Sequence, residues 1–129
     1  MTIDVELYRD QLERLLATLD EGEWVLRTVP SVEEWAKSVN RSLRRVFVPA
    51  LVATDNHGRR IVVIRRFLTD EIQSNVRNGF LMRGLDDEGL EDPVYFLEHL
   101  VVHEAAHHVL DSQDENACDA WASSKISRR

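Results

Sequence analysis

Hydrophobic residues recur at helical spacing in three stretches of the N-terminal part of the chain. Over residues 4 to 20 the apolar positions form one stripe, which predicts an amphipathic first helix. Ser31 and Glu34 have the spacing of a capping box, so a second helix is predicted to begin there. A third helix is predicted from Thr69, and because Asn78-Gly79 is a typical helix-ending pair, we expect it to stop near that point.

Shorter segments rich in β-branched residues lie between these helices and predict strands. Residues 24–29 predict one strand, and residues 46–54 predict another, in which Pro49 requires an edge position or a bulge. Residues 60–66 predict a third strand, and the turn-forming cluster at 55–58 predicts that the last two strands form a hairpin. Together the segments predict a small mixed or antiparallel sheet.

The most apolar part of the chain is predicted to be a long helix. Asp92 is a good N-cap and Pro93 suits the first helical position, so this helix should begin there and run to about Leu110. It is hydrophobic on nearly every side, which is typical of a helix in the centre of a domain. The acidic segment 84–92 before it is predicted to be a loop.

Length and composition favour one globular domain. A chain of 129 residues with 43% hydrophobic residues can bury roughly two-thirds of its unfolded surface. A last helix is predicted from about Asp114 to Ser124. We therefore predict a single α+β domain over residues 1–129, in which a small sheet packs against several helices, including the central one.

Charge and cysteine content narrow the function classes. The net charge of −7 disfavours nucleic acid as a partner, because such binding needs a positive surface. No apolar stretch approaches the roughly 20 residues that a membrane span requires. The only cysteine, Cys118, cannot form an internal disulfide, and the acidic N-terminus does not have the pattern of a signal peptide, so we expect a cytoplasmic protein.

The predicted central helix carries an H-E-x-x-H pattern, His103-Glu104-Ala105-Ala106-His107. Residues four apart lie about 40° apart around an α-helix, so both imidazoles can reach one metal ion. Glu104 lies on the flank of the same face, where it can act on a water molecule at the metal. Buried imidazoles and carboxylates without partners would cost several kcal/mol, and a metal ion would satisfy them.

A second pattern, E-x-x-x-D, begins eight residues after His107. Leu110 stands where the longer metzincin motif has glycine, so that extension of the motif is excluded. Glu115 can instead supply a carboxylate oxygen to the metal. Asp119, one helical turn later, can accept the second ring N–H of a ligating histidine.

With these two motifs the chain resembles the gluzincin metalloproteases, and it looks most like their minimal, single-domain members. The resemblance is close over residues 94–122. It implies a zincin-like fold, a Zn²⁺ cofactor and a peptide or protein substrate. It also implies the following roles: His103, His107 and Glu115 as metal ligands, Glu104 as general base and proton shuttle, and Asp119 as the hydrogen-bond partner of His103.

Other roles remain open for several of these residues. Ser112 and Glu115 also fit a capping box, so Glu115 can instead cap the last helix. Asp119 can be a solvated helix residue, whereas Cys118 is expected to be a small packing residue. His99, four residues before His103, allows a metal-binding pair in a shifted register.

Three further residues are weaker candidates. Tyr95 and His57 are candidates for stabilising an oxyanion or contacting substrate, although Tyr95 also fits the core. His108 points about 100° away from His107 on a helix and is expected to be structural or exposed.

The leading functional hypothesis is zinc-dependent hydrolysis of peptide bonds, with an extended peptide aligned on the edge of the strand at residues 60–66. The alternative is a zincin-fold regulatory or interaction protein that binds zinc with little or no proteolysis. A third hypothesis is a processing protease that acts on one partner.

Overall fold

The computed structural model describes residues 2–19, 24–39, 49–54, 57–84 and 89–126. Helices and strands are mixed along the chain, which confirms the predicted α+β class. In chain order the elements are β1 (Ile3–Asp4), a 3₁₀ turn (Val5–Tyr8), α1 (Arg9–Ala17), β2 (Trp24–Val29), α2 (Val32–Ser38), β3 (Ala50–Thr54), β4 (Arg60–Arg65), β5 (Phe67–Leu68), α3 (Asp70–Met82), α4 (Pro93–Val109) and α5 (Glu115–Lys125).

The main sheet has three strands in the order β2-β4-β3. β4 pairs in parallel with β2 and antiparallel with β3, so the sheet is mixed and the predicted hairpin is confirmed. The four central residues of β4 are buried, as expected for a strand covered on both faces (Ile61, Val62, Val63 and Ile64). The prediction that residues 60–66 offer an edge to a peptide is wrong, because both sides of β4 are already paired.

The N-terminal residues depart from the predicted helix over 4–20. The α-helix begins only at Arg9, since Ile3 pairs with Leu68 in a second, two-stranded sheet formed by β1 and β5. The Val5 N–H donates to the Arg66 carbonyl at 2.8 Å. This pairing with a distant segment draws the first residues away from helical geometry.

Side-chain caps determine where three helices begin. Ser31 Oγ accepts from the Glu34 N–H at 3.2 Å, and Asp92 Oδ1 accepts from the Val94 N–H at 2.9 Å. Thr69 Oγ1 caps α3 in the same way, accepting from the Ile72 N–H. These three predicted helix starts are therefore confirmed.

The predicted end of α3 near Gly79 is wrong. The helix continues to Met82, and the backbone becomes left-handed only at Gly84, with φ of 76°. The Arg83 N–H still donates to the Gly79 carbonyl at 3.2 Å, so Gly79 lies within the last turns rather than after them. Residues 85–88 of the predicted loop and residues 46–48 of the predicted second strand lie outside the described residues.

α4 occupies the centre of the fold, as its pattern predicts. It packs beside α1 and α5, and the hydrophobic side chains that it buries include Phe96, Leu97, Val101 and Ala105. One face of the main sheet joins this core through Leu26, Val62 and Ile64, and α2 covers the opposite face with its buried Val32. Among the described residues, no helix is both long enough and apolar enough to cross a membrane.

Candidate metal centre

A tight connection between α4 and α5 brings the two sequence motifs together. α4 ends at Val109, and Asp111 then adopts a left-handed backbone with φ of 48°. Asp tolerates this conformation better than most residues, and it turns the chain back so that α5 packs beside α4. Consequently Glu115, the first residue of α5, reaches the histidines of the last two turns of α4.

His103 and His107 converge on a single carboxylate. His103 Nε2 lies 2.9 Å from Glu115 Oε2, and His107 Nε2 lies 3.2 Å from Glu115 Oε1. The two imidazole centroids are 4.9 Å apart. The three residues that the resemblance implies as ligands therefore form one cluster of metal-type donors.

Glu115 does not cap α5. The N-cap is Asp114, whose Oδ1 accepts from the N–H groups of Asn116 and Ala117 at 3.0 and 3.2 Å. Ser112 Oγ accepts from the Asp114 N–H rather than from the Glu115 N–H. The capping-box interpretation of Ser112 and Glu115 is thus wrong, and the Glu115 carboxylate points at the histidines.

Asp119 lies on the other side of the His103 ring. Its Oδ1 is 2.6 Å from His103 Nδ1, and the residue is only 3% exposed, so the interpretation of Asp119 as a solvated helix residue is wrong. Burial raises the pKa of this carboxyl, but His103, His99 and Arg83 outweigh burial and hold the pKa below its ordinary value. Asp119 is therefore ionised, and an oxygen this close repels a bare ring nitrogen, which favours the tautomer with the hydrogen on His103 Nδ1 even though the pair lacks hydrogen-bond geometry.

His107 has the same tautomer for a different reason. Its Nδ1 lies 2.8 Å from the Ser112 carbonyl oxygen, which can only accept, so Nδ1 carries the hydrogen. Cys118 Sγ is 3.5 Å from this same Nδ1, whereas Glu115 lies at Nε2. The buried Cys118 is thus on the side of the ring away from Glu115, in agreement with a packing role.

The two tautomers test whether these residues suit a metal ion. In neutral form, both imidazoles present a bare Nε2 to an ionised carboxylate oxygen, and two acceptors at such distances repel each other. Positive charge between these atoms removes the repulsion. It can come from a second proton on each ring or from a metal ion bound by all three side chains. Two histidine nitrogens and one carboxylate oxygen are the donor set typical of catalytic zinc. His103, His107 and Glu115 therefore fit a zinc ion.

Without metal, the carboxylates favour protonated rings. Burial lowers the pKa of His103, but Asp119 and Glu115 outweigh burial and raise it to about 10. The Glu115 carboxylate also raises the pKa of His107, and in return the two histidines lower the pKa of Glu115. The metal-free site is therefore an imidazolium pair around one carboxylate.

This charge state predicts a pH dependence for the metal-free protein. The folded-state pKa of His103 exceeds its unfolded value of 6.5, so its contribution to stability is complete below pH 6.5 and is lost as pH rises through about 10. Melting temperatures measured in chelator should fall across this range, and the fall should be smaller in His103→Asn. Equal melting temperatures for the metal-free wild type at both ends of the range would contradict the assigned charge state.

Glu104 flanks the metal-type cluster. Its Oε2 lies 3.9 Å from His103 Nε2, beyond direct hydrogen bonding, and its side chain is 15% exposed. The side chain of Glu115 is 27% exposed, whereas Asp119 is almost fully buried. The cluster is thus closed on the Asp119 side and reached by solvent on the Glu115 side.

A second group of metal-type donors shares His103 with the first. His99 Nε2 lies 3.2 Å from Asp119 Oδ1, and His99, His103 and Asp119 are all buried. The Arg83 guanidinium already pairs with the other oxygen of Asp119, and a cation so close opposes a metal ion. We therefore infer that His99 and Asp119 support the first group through hydrogen bonds and do not bind a metal ion themselves. The contact with Arg83 thus argues against metal binding by a shifted His99–His103 pair.

The weaker candidates lie elsewhere. His108 is exposed and meets Trp24 edge-on at 5.8 Å between centroids, and His57 is exposed in the turn before β4. Tyr95 is half-buried against the hydrophobic core, with its ring 6.1 Å from that of His99. The sequence does not identify Arg83 as a site residue, because a single arginine at a helix end belongs to no recognisable motif. His99, in contrast, can be identified from the sequence because it lies four residues before His103.

No protein-family model matches the chain, and neither the search of curated proteins nor that of solved structures finds a match.

Proposed function

We propose that this protein is a zinc-dependent peptidase with a zincin-like fold. One observation carries the proposal: Nε2 of His103 and Nε2 of His107 both face the Glu115 carboxylate, while each Nδ1 lies against a separate oxygen, Asp119 Oδ1 for His103 and the Ser112 carbonyl for His107. Both rings thereby direct a lone pair to the same point. Arrangements that orient two imidazoles in this way are typical of metal sites.

Zinc is the metal that this donor set favours. Calcium and magnesium prefer oxygen ligands alone, whereas two imidazoles with one carboxylate suit zinc. Once the rings give up their second protons, as metal binding requires, the carboxylates of Glu104, Glu115 and Asp119 leave an excess of negative charge over the single positive charge of Arg83. A divalent cation would offset that excess.

Hydrolysis requires a base beside the ligands, and Glu104 is placed to supply it. When bound, zinc polarises a carbonyl group and makes water more acidic. The Glu104 carboxylate would take the proton from the attacking water and deliver it to the leaving amine. Its distance of 3.9 Å from His103 Nε2 leaves it close to the metal position without being a member of the ligand set.

The direct test is zinc content together with peptide cleavage. We expect about one zinc per purified chain, removal by chelator, and a raised melting temperature on zinc return. Free zinc at about 100 times the dissociation constant should add about 2.7 kcal/mol to the free energy of unfolding. Zinc-loaded protein should cleave a mixture of unfolded proteins and peptides. Lack of bound zinc and of any zinc-dependent stabilisation would contradict the proposal.

A second candidate is a zinc-binding regulatory or interaction protein with little proteolysis. The pairing of β4 on both sides favours it, because the strand predicted to align an extended substrate has no available edge. One zinc per chain without cleavage of any substrate would support this candidate. Cleavage of a single protein, recovered from cells with the Glu104→Gln variant and cut by the wild type, would instead identify a dedicated processing protease.

A further inference from the structure

The Asp119 carboxylate on α5 is held by residues of α4 and by Arg83 at the end of α3. Its Oδ1 faces α4, where it lies 2.6 Å from His103 Nδ1 and 3.2 Å from His99 Nε2. Its Oδ2 pairs with the guanidinium of Arg83, the residue that follows α3. Each oxygen therefore has its own partner, as a buried carboxylate requires.

Arg83 is itself held in place by two further contacts. Its Nε donates to Asn116 Oδ1 at 3.1 Å, and its guanidinium lies 5.4 Å from the centroid of the Phe80 ring. Asn116 and Asp119 are three residues apart on α5, so the planar guanidinium spans one turn of that helix. Lysine has a single ammonium group and does not match this fork.

We propose that Arg83 is a positioning residue for the metal centre, acting through Asp119. Rotation about the last side-chain bond of an aspartate is soft, so a carboxylate that is held through one oxygen can swing. Arg83 prevents this by holding Oδ2, which keeps Oδ1 against His103 Nδ1. The imidazole is then fixed in the orientation that aims Nε2 at the ion. The inference rests on the proposed metal site, and its test separates the two.

The test is a double-mutant cycle on zinc affinity, measured by competition with a chromophoric chelator. Asp119→Ala should weaken zinc binding by roughly 10- to 100-fold, and Arg83→Met by about tenfold, because His99 still holds Oδ1. If Arg83 acts through Asp119, adding Arg83→Met to Asp119→Ala should change affinity by less than about twofold. Arg83→Lys should recover only part of the loss.

The matched control is Arg66→Met, which removes another arginine–aspartate pair, that of Arg66 with Asp4 at 3.2 Å. It should leave zinc affinity unchanged. If Arg83→Met fails to fold, Asn116→Ala provides a milder variant at an exposed position and should weaken zinc binding in the same direction. The positioning role of Arg83 would be overturned, without affecting the proposed function, by either of two results. One is wild-type zinc affinity in Arg83→Met or in a folded Asn116→Ala, and the other is additive losses of affinity in the cycle. A wild-type protein that binds no zinc would overturn the proposed function, and this role with it.

Discussion

Glu104→Gln is expected to abolish peptide hydrolysis and leave zinc bound. Glutamine keeps the size of the side chain but cannot take a proton from water, and general-base catalysis typically contributes 10²- to 10⁴-fold in rate. We therefore expect turnover to fall by about that factor while zinc content stays near one per chain. Both quantities are measured on the same preparation, by metal analysis and by cleavage of a peptide that the wild type cuts.

Glu98→Gln is the matched control for this experiment. Glu98 is also half-buried on α4, where its Oε1 accepts from Gln11 Nε2 at 3.3 Å, and it lies five residues before His103. Its substitution should leave both rate and zinc content unchanged. Normal turnover by Glu104→Gln would exclude Glu104 as the base, and loss of zinc from this variant would instead place Glu104 among the ligands.

Glu115→Ala is expected to lose zinc. Hydrogen-bond partners of metal ligands typically contribute 10- to 100-fold to affinity, so removal of a ligand should weaken binding by more than about 100-fold. The metal-free protein should also melt at a lower temperature, since both imidazolium groups lose the carboxylate that lies 2.9 and 3.2 Å from them. Zinc affinity and melting temperature in chelator report the two effects separately.

Glu71→Ala provides the comparison. Glu71 is exposed and lies in the first turn of α3, and Glu115 lies in the first turn of α5. Glu71→Ala and Glu115→Ala therefore each remove one negative charge near a helix N-terminus. Only Glu115→Ala should affect zinc. Unchanged zinc affinity in Glu115→Ala would mean that another residue supplies the third ligand.

The start of α3 could be predicted from the sequence, whereas its end could not. Thr69 caps α3 through a bond to the Ile72 N–H, an interaction within four residues that the sequence displays directly. The end near Gly79 was predicted from glycine's conformational freedom, but that freedom is not used there, and the turn occurs at Gly84. A residue's preference permits a conformation, whereas contacts with the rest of the fold decide whether it forms.

The pairing of the strands was the second feature that could not be predicted fully from the sequence. The strand segments at 24–29 and 60–66 could be recognised from their β-branched residues, and the hairpin from its turn. The parallel pairing of β2 with β4 joins segments more than thirty residues apart, with Trp24 opposite Arg60, and no local pattern records it. That pairing places β4 in the centre of the sheet and removes the edge on which substrate alignment was predicted.

By itself, the sequence determined that His103, Glu104 and His107 occupy one side of a single helix, because helical periodicity fixes the directions of residues four apart. It also identified Glu115 and Asp119 as candidates, but left open a capping role for Glu115 and a solvated position for Asp119. The tertiary structure alone decided that Glu115 turns toward the histidines, that Asp119 is buried behind His103, and that Arg83 holds Asp119. Those placements depend on how α3, α4 and α5 pack, which is set by core residues far apart in the chain.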